Sequence, residues 1–169
     1  MIPLHERTPE NWNVCIIRLN DYDPKLIDFN YCIKAFFMVA DLRLVTPDTS
    51  TISDGEVAIF DMNGISYRHM TKVVFSTLKM FSKYTQEAHP ICVRQTHIVN
   101  CSSMLGYLVN IAKPMIHADV LERIHFHFPK SDTLSKFIPT EMLPEEYSGN
   151  GGRMGDLKKY WIERLKEKR

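Results

Sequence analysis

The sequence predicts an α/β fold built on a mainly parallel β-sheet. Short, β-branched apolar runs alternate with longer helical patterns along the chain, and the run at residues 57–60 is apolar on both faces. Such alternation is typical of parallel strands joined by helical crossovers. A strand with two apolar faces indicates a sheet that helices cover on both sides. The 169 residues suffice for one domain with a sizeable core, so we expect a single domain over residues 1–169.

The first half of the chain contains two predicted strand–helix pairs. Residues 14–19 (VCIIRL) form an apolar strand that ends in the turn cluster NDYDP. Residues 25–44 follow as a long helix with apolar side chains at helical spacing. Residues 57–60 (VAIF) predict the second strand, and residues 73–84 predict the next helix.

The second half continues the alternation. Residues 91–99 predict a third strand, and a helix follows in which Pro114 should introduce a kink or a break. Residues 123–128 (RIHFHF) alternate between apolar and polar side chains, which predicts a strand with two different faces. A short helix near residues 133–138, a loop and a last helix over residues 156–167 complete the order β-α-β-α-β-α-β-α-α.

The segment at residues 100–116 (NCSSMLGYLVNIAKPMI) is unusually apolar for a surface helix. Its one charged residue is Lys113, and apolar side chains occupy most of the helix circumference. A surface helix of a globular protein usually keeps one polar face. The predicted helix at residues 25–44 shows the same excess. Either both helices belong to the core, or their apolar surface contacts something other than the protein.

The composition excludes several classes of protein. The net charge of +1 argues against a nucleic-acid binder that relies on bulk positive charge. The sequence contains no apolar run of about eighteen residues, which a membrane-spanning helix would need. The N-terminal stretch MIPLHERTPENW lacks the apolar core of a signal peptide, so we expect a cytoplasmic protein.

The four cysteines show no metal-binding or redox spacing. Cys15, Cys32, Cys92 and Cys101 form no C-x-x-C pair, and each lies in an apolar or strand-like run. Buried cysteines in a reducing compartment behave as small apolar side chains. We therefore expect four buried, reduced thiols.

The sequence carries no strong catalytic or nucleotide-binding motif. The glycine-rich stretch GNGGRMG departs from G-x-G-x-x-G because Met154 occupies the last glycine position and no strand precedes it, so it predicts a turn. Neither a P-loop nor a G-x-S-x-G motif occurs. We expect no catalytic residue, no cofactor and no enzyme activity.

Two smaller features have ordinary structural explanations. Ser102 and Ser103 follow a predicted strand near His97, but serines in that position are also common N-caps, which is the interpretation we favour. Asp61 ends a buried strand, where α/β proteins often bind ligands, but aspartate is equally a frequent turn residue. Neither feature supports an enzyme.

His125 and His127 form an H-x-H pair on one face of a predicted strand. Two such histidines are a possible pair of metal ligands. No carboxylate or cysteine nearby in the sequence completes a ligand set, so we expect no metal site. The histidines would then either pack under a helix or face water.

Several motifs occur together in a fixed order. The stretches are RLNDYDPK, VAIFDMNGIS, VRQTHIVNCSSMLGYLVNIAKPMIHADVLERIHFH and LPEEYSGNGG. Within them I-F-D-x-x-G is followed by H-x-x-N, K-P, E-R-I-H and L-P-x-E-Y. From about residue 13 to residue 157, the chain resembles the CRAL-TRIO lipid-binding domain family, which includes tocopherol- and retinaldehyde-binding proteins.

The resemblance implies a curved sheet with helices around a pocket for one hydrophobic molecule. A mobile helical lid would cover the mouth of the pocket, and residues 101–124 match that lid. The lid would be apolar on its inner face toward the ligand and on its outer face toward a bilayer. By position, the resemblance implies the ligand-binding residues Ile33, Phe36, Phe37, Ala40, Phe60, Ile65, Tyr67, Phe81, Tyr84, Ile91, Leu105, Val109 and Ile116.

This chain departs from the tocopherol-binding members at several positions. Those members have a small hydroxyl residue in place of Ala40 and a smaller side chain in place of Phe36, which argues against tocopherol itself. Their basic patch for phosphoinositides is matched here by Arg94 and Arg123. Cys92 and Asp119 stand where that patch has lysine, so the patch is half complete. The family's N-terminal helical module is also expected to be absent, since the sequence starts directly before the first predicted strand.

The resemblance implies a carrier rather than an enzyme. The expected function is binding and intracellular transfer of a small hydrophobic ligand of the tocopherol, retinoid, carotenoid or phospholipid class. The expected protein is a monomer that contacts membranes transiently at their surface. The alternative is a membrane- or phosphoinositide-binding adaptor, or an interaction module, that transports no ligand.

Overall fold

The computed structural model describes residues 1–45, 53–101 and 105–168. In these ranges five strands form one sheet in the order β1-β2-β3-β4-β5. The first pair is antiparallel and the other three pairs are parallel. The predicted α/β class with a mainly parallel sheet is therefore confirmed. The strands are β1 (Ile2–Arg7), β2 (Trp12–Ile17), β3 (Gly55–Asp61), β4 (Val93–Val99) and β5 (Ile124–Phe126).

Helices connect the parallel strands and extend beyond the last one. The break predicted at Pro114 is confirmed, because α4 ends at Ala112 and the 3-10 turn Lys113–Met115 follows it. The proposed caps Ser102 and Ser103 lie outside the described residues. The helices are α1 (Phe29–Val45), α2 (Tyr67–Met70), α3 (Phe75–Lys83), α4 (Leu105–Ala112), α5 (Ala118–Leu121) and α6 (Met154–Glu167).

The strand β1 was not predicted from the sequence. Pro3 lies inside it, and proline normally argues against a strand because it cannot donate a ladder hydrogen bond. That restriction is relaxed at the edge of a sheet, which is where β1 lies. The Pro3 carbonyl also accepts a hydrogen bond from the Trp161 indole N–H at 2.9 Å. Pro3, which by itself argues against a strand, thus helps to attach α6 to the sheet.

One face of the sheet carries the main core. Val14, Ile16 and Ile59 are fully buried there and pack with apolar residues of the C-terminal segment. That segment contributes Ile138, Met142, Leu143, Met154 and Leu157. In register, Ile16 lies beside Ile59, Ile59 beside His97, and His97 beside His125. The alternation at residues 123–128 is therefore confirmed, with the histidines on the core face.

Three histidines form a connected polar group: His97 of β4, His125 of β5 and His127 directly after β5. His127 Nε2 lies 2.9 Å from His97 Nδ1, and the other ring nitrogens face Gln95 Oε1 at 3.1 Å and Thr133 Oγ1 at 2.8 Å. The His125 ring stacks on His97, with 5.1 Å between their centroids. Of the two structural alternatives, packing under a helix is correct, because all three rings lie against Phe137 at the end of the 3-10 helix Thr133–Lys136. No group of three or more His, Cys, Asp or Glu side chains suited to a metal ion exists within the described ranges.

Burial of the His97–His127 pair keeps both rings neutral. Each facing contact joins one donor to one acceptor, which two doubly protonated rings could not provide. Burial, together with the neighbouring His127 and His125, lowers the pKa of His97 to about 3. Burial and His125 lower the pKa of His127 as well.

The cysteine prediction is half wrong. Cys15 and Cys101 are buried, and burial raises the pKa of each thiol. Cys32 and Cys92 are exposed; Cys32 lies in the first turn of α1, and Cys92 lies directly before β4. All four thiols are free.

Asp61 lies at the carboxyl end of β3 and connects three parts of the chain. Its carboxylate accepts hydrogen bonds from the Tyr147 hydroxyl at 2.6 Å, the Asn100 amide at 2.8 Å and the Asn63 backbone N–H at 2.9 Å. These contacts join the ends of β3 and β4 to the L-P-x-E-Y segment. Burial and the bond to Asp61 raise the pKa of Tyr147. Asp61 thus acts in this fold as a buried structural acceptor.

The glycine-rich stretch folds into a tight turn, as predicted. The Gly151 N–H donates to the Leu143 carbonyl at 2.8 Å, and the Gly149 N–H donates to the Pro144 carbonyl at 3.1 Å. A Cβ atom on Gly149 would lie 1.9 Å from the Leu143 carbonyl oxygen, so the close approach requires glycine. These N–H groups already have partners within the protein.

No helix in the described part of the chain combines the length and the apolar character that crossing a bilayer requires.

Candidate functional site

The second face of the sheet carries an apolar row that runs across all four parallel strands. Ile17 lies beside Phe60, Phe60 beside Ile98, and Ile98 beside Phe126 in the strand register. Residues directly beside one another in paired strands point to the same face of a sheet. A second row, Cys15, Ala58, Thr96 and Ile124, lies two positions earlier on the same face.

The two faces of the sheet differ in how completely they are covered. On the core face, Ile16, Ile59 and His97 have no exposed surface. On the second face, Ile17, Phe60 and Ile98 are half-buried, and Phe126 is 41% exposed. Parallel sheets are normally covered on both faces. Apolar side chains that remain partly accessible in the middle of such a sheet form a candidate binding floor.

Helix α1 packs against this second face through a buried ion pair. Arg43 near the end of α1 donates to Glu56 Oε2 of β3 at 2.7 Å, and both side chains are at most 10% exposed. The Cys15 thiol donates to the other oxygen, Glu56 Oε1, at 3.0 Å. Glu56 belongs to the same alternating set as Ala58 and Phe60, so α1 lies on the side of the apolar rows.

Four of the predicted ligand-binding residues form an aromatic cluster between α1 and α3. Phe36 and Phe81 meet edge to face with centroids 4.9 Å apart, and Phe37 and Tyr84 do so at the same distance. Phe37 also lies 6.0 Å from Phe81. All four side chains are half-buried. The cluster thus holds the two helices together while keeping part of its surface accessible.

The remaining predicted residues differ in how far they are exposed. Ile33, Ile65 and Ile91 are half-buried, and Ala40 is buried at 5% exposure. Tyr67 begins the short helix α2 and is 60% exposed. The structure therefore brings Phe36, Phe37, Phe81 and Tyr84 into direct contact but leaves Tyr67 mainly at the surface.

The predicted lid corresponds to α4, the following 3-10 turn and α5. Val109 in α4 and Ile116 after the turn are half-buried, whereas Asn110 is exposed. Leu105 begins α4, and its side chain lies outside the described part of the structure. The half-buried state of Val109 and Ile116 is compatible with an inner face, and their contact with a ligand stays a prediction.

A group of hydrogen bonds, which we call the latch, holds the middle of the lid, between α4 and α5, to α3 and the turn after it. The Gln86 side-chain amide donates to the Met115 carbonyl at 2.9 Å, and its oxygen accepts from the His117 backbone N–H at 2.7 Å. The Ser82 hydroxyl donates to the same Met115 carbonyl at 2.8 Å. Gln86 lies in a π-helical turn, Tyr84–Ala88, and such turns are frequent at functional positions. The latch fixes the segment immediately after Pro114.

The two predicted phosphoinositide ligands lie near the start of β4 and already have protein partners. Arg94 packs beside Gly55 and donates through Nε and Nη2 to the Asp54 carbonyl at 3.0 and 2.8 Å. Arg123 forms an ion pair with Asp119 at 3.7 Å. Asp119 is one of the two positions at which this chain lacks the lysine of the resembled patch. Its carboxylate also forms the ion pair with Arg123, one of the two arginines that match the patch.

Sequence reasoning missed part of the binding floor and the whole latch. Ile17, Ile98 and Phe126 were not predicted, although the alternation of each strand places them on a common face once the register is known. Ser82 and Gln86 gave no signal, because polar residues on a helix are ordinary in any sequence. Only the folded chain brings them to Met115.

Comparisons with known proteins agree with this architecture. The family model described as the CRAL/TRIO domain matches residues 1–149. The chain is 23% identical over 146 residues to the human protein named alpha-tocopherol transfer protein-like, covering 86% of this chain and 42% of that protein. It is 22% identical over 146 residues to rat clavesin-1, covering 86% and 41% of the two chains. The chain thus spans less than half the length of these relatives.

A solved structure shows the same fold. The crystal structure of Sfh5 superposes with a TM-score of 0.61 at 12% sequence identity. The match covers 92% of this chain and 56% of Sfh5.

Proposed function

Because the chain belongs to the CRAL/TRIO domain family, we propose that it binds one small hydrophobic molecule and transfers it between membranes without catalysing a reaction. The ligand would lie on the apolar rows of the sheet, between α1, α3 and the lid. The observation that carries this proposal is the partly accessible row Ile17, Phe60, Ile98 and Phe126, which lies opposite a fully buried core.

Apolar burial alone can supply the affinity. Removing about 400 Å² of apolar ligand surface from water contributes about 10 kcal/mol at roughly 25 cal/mol/Å² before ordering costs. No nucleophile, cofactor or metal is required for that gain. A binding floor of isoleucine and phenylalanine side chains is therefore sufficient for a carrier.

The polar groups near this face bear on the class of ligand. Thr96 is the one hydrogen-bonding side chain in the two rows besides the Cys15 thiol, which already donates to Glu56. A ligand on this floor would therefore be mainly apolar, with few polar groups to satisfy. Retinoids, carotenoids and the acyl part of phospholipids fit this description. Tocopherol is less favoured, because Phe36 and Ala40 stand where tocopherol-binding members have smaller and hydroxyl-bearing side chains.

Release would occur where the lid meets a membrane. An apolar ligand leaves the floor readily only when its exit opens into another apolar phase. Helix α4 consists mainly of apolar residues, so its outer surface can enter the headgroup–acyl boundary of a bilayer. We propose accordingly a cytoplasmic, monomeric protein that contacts membranes transiently at their surface.

The direct test is an organic extract of the purified protein, examined by mass spectrometry. We expect one hydrophobic compound in about equimolar amount with the protein, and Phe60→Asp should abolish its retention. The control Thr96→Val removes a polar group from the same floor without adding charge and should keep the ligand. An extract empty of any lipid, from protein expressed in a eukaryotic host, would contradict the carrier and favour the adaptor.

A further inference from the structure

A cavity lies away from the lid, between α1, α6 and the edge of the sheet. Its volume is about 430 Å³, within the range of about 300–1,000 Å³ typical of small-molecule sites. Ala35, Met38 and Val39 of α1 line one side, and residues of α6 line the other. None of these three α1 residues belongs to the predicted ligand-binding set. Helix α1 therefore has a further group of apolar residues, which faces this cavity. We call this cavity the α1–α6 groove.

The α1–α6 groove is apolar at one end and polar at the other. Two hydrogen bonds orient α6 along it, from Lys158 Nζ to Asn20 Oδ1 at 2.6 Å and from the Trp161 indole N–H to the Pro3 carbonyl at 2.9 Å. Arg18 and Asn20 follow β2 at the Lys158 end, whereas Leu165 lies further along α6. Lys158 and Leu165 are seven residues apart, which is about 10 Å along a helix.

The polar end carries two cationic side chains, Arg18 and Lys158, and one carboxylate, Glu146. The Arg18 guanidinium also lies within hydrogen-bonding reach of the Tyr147 hydroxyl. Among the described residues, neither Arg18 nor Lys158 has a carboxylate within ion-pair distance. Glu146 also lines the groove, but both of its oxygens face the Met154 backbone N–H at 3.1 Å. Arginine and lysine beside an apolar channel are complementary to a carboxylate that carries an apolar chain.

We propose that the α1–α6 groove binds a fatty acid anion. The carboxylate lies at Arg18 and Lys158, and the acyl chain follows Val39, Trp161 and Leu165. Met38 and Ile162, which are 47% and 40% exposed, form the rim over which the chain enters. This site is separate from the floor under the lid, and it does not depend on the carrier function.

The test uses cis-parinaric acid, a fluorescent fatty acid that accepts excitation energy from tryptophan. Trp161 lines the groove, so binding should produce saturable sensitised emission. Lys158→Gln should weaken binding about five-fold, as expected for one partly exposed charge pair. Lys159→Gln changes the neighbouring exposed lysine and should leave affinity unchanged. Ala35→Phe should fill the groove and reduce binding at least ten-fold, whereas Lys34→Phe, on the exposed side of α1, should not.

The same experiment separates this site from the floor under the lid. Val109→Asp, on the lid, should leave parinarate binding intact. The fatty acid site is overturned if Val109→Asp abolishes binding while Ala35→Phe and Lys158→Gln do not, or if no saturable emission is observed. Circular dichroism of each variant confirms that the fold is retained. The carrier function is tested independently by the lipid extracted from the protein.

Discussion

The Gln86 side chain donates to the carbonyl of Met115 across 29 positions of sequence, and this contact joins the middle of the lid to the turn after α3. The same side chain accepts from the His117 N–H, so one residue satisfies two backbone groups of the segment after Pro114. Backbone groups there would otherwise need water as partners. The latch thus attaches the lid to the protein body at the junction between α4 and α5.

Gln86→Met should loosen that attachment while preserving side-chain size. A hydrogen bond contributes about 1 kcal/mol, so losing two of them should raise amide exchange of the His117 N–H at least ten-fold. Ligand release to acceptor vesicles should become faster. Lys79→Met, at an exposed position of α3, is the control and should change neither rate. An unchanged exchange rate at His117 in Gln86→Met would show that the latch does not hold the lid.

Val109→Asp should reduce ligand transfer between vesicles by at least ten-fold. The substitution would place a charge without a partner in an apolar site, which is strongly unfavourable. Asn110→Asp adds the same charge at the next position, which is exposed and already polar, so it should change transfer little. Equal loss in both variants would mean that the lid responds to any added charge. No loss in either would place Val109 in ordinary core packing.

Vesicle binding should depend only weakly on phosphoinositide content. Each basic residue near an anionic surface contributes about 1 kcal/mol, and both candidates already have partners in the protein, Arg94 at the Asp54 carbonyl and Arg123 at Asp119. Arg94→Ala should therefore reduce binding less than five-fold in a sedimentation assay. Asp119→Lys, which frees Arg123 and adds a charge, should strengthen it. Binding that collapses in Arg94→Ala would show that the patch is complete without the missing lysines.

The free energy of unfolding should fall as the pH drops below about 6.5. The pKa of His97 is about 3 in the folded protein and near 6.5 in the unfolded chain, so the unfolded state takes up protons first. Stability is therefore fully present above pH 6.5 and is lost progressively as the pH falls toward 3. By pH 5 the loss from His97 alone should reach about 2 kcal/mol, which lowers Tm by about 4–8 °C.

The His97 contribution can be isolated with a matched pair of variants. His97→Asn should flatten the decline in Tm between pH 7 and pH 5, even though its Tm at pH 7 is lower. His5→Gln changes an exposed histidine and should retain the full decline. A Tm of the unmodified protein that stays constant from pH 8 to pH 5 would exclude a neutral, buried His97.

Tyr147→Phe should destabilise the protein by about 1–3 kcal/mol, because it removes a donor from the buried Asp61 carboxylate. The matched control is Tyr22→Phe, whose hydroxyl accepts from the Asn63 amide at an exposed site and should contribute little. Urea unfolding gives both values. Equal stability of the two variants would mean that Asn63 and Asn100 satisfy Asp61 without Tyr147.

Periodicity predicted most of the fold, because its signals are local. The alternation at residues 123–128 placed His125 and His127 on one face, and the proline at 114 marked the end of α4. Strand β1 was missed because the cost of Pro3 depends on whether a strand lies at an edge, which the local sequence does not contain. Cys92 was wrongly predicted to be buried for a similar reason. Apolar neighbours in the sequence do not determine whether a side chain is buried in the folded protein.

The candidate site was predicted less completely than the fold. Phe36, Phe37, Phe81 and Tyr84 came from the family resemblance, and their mutual contacts are a property of how α1 and α3 cross. The row through Ile17, Ile98 and Phe126 needs the strand register, which depends on long-range pairing. The Gln86 latch and the α1–α6 groove need the complete tertiary arrangement.

The two sides of the proposed binding floor are held with different strength, because a buried ion pair, Arg43–Glu56, attaches α1 to the sheet. Breaking such a pair by removing one partner costs about 3–5 kcal/mol, because the other charge stays buried and uncompensated. The α1 side is therefore held by a buried ion pair, whereas the lid is held between α4 and α5 by neutral hydrogen bonds from Ser82 and Gln86 and by an exposed contact between His117 and Glu87. We expect thermal fluctuations to open the side with the weaker attachment first. We therefore expect that a molecule bound on the proposed floor would leave it past α4.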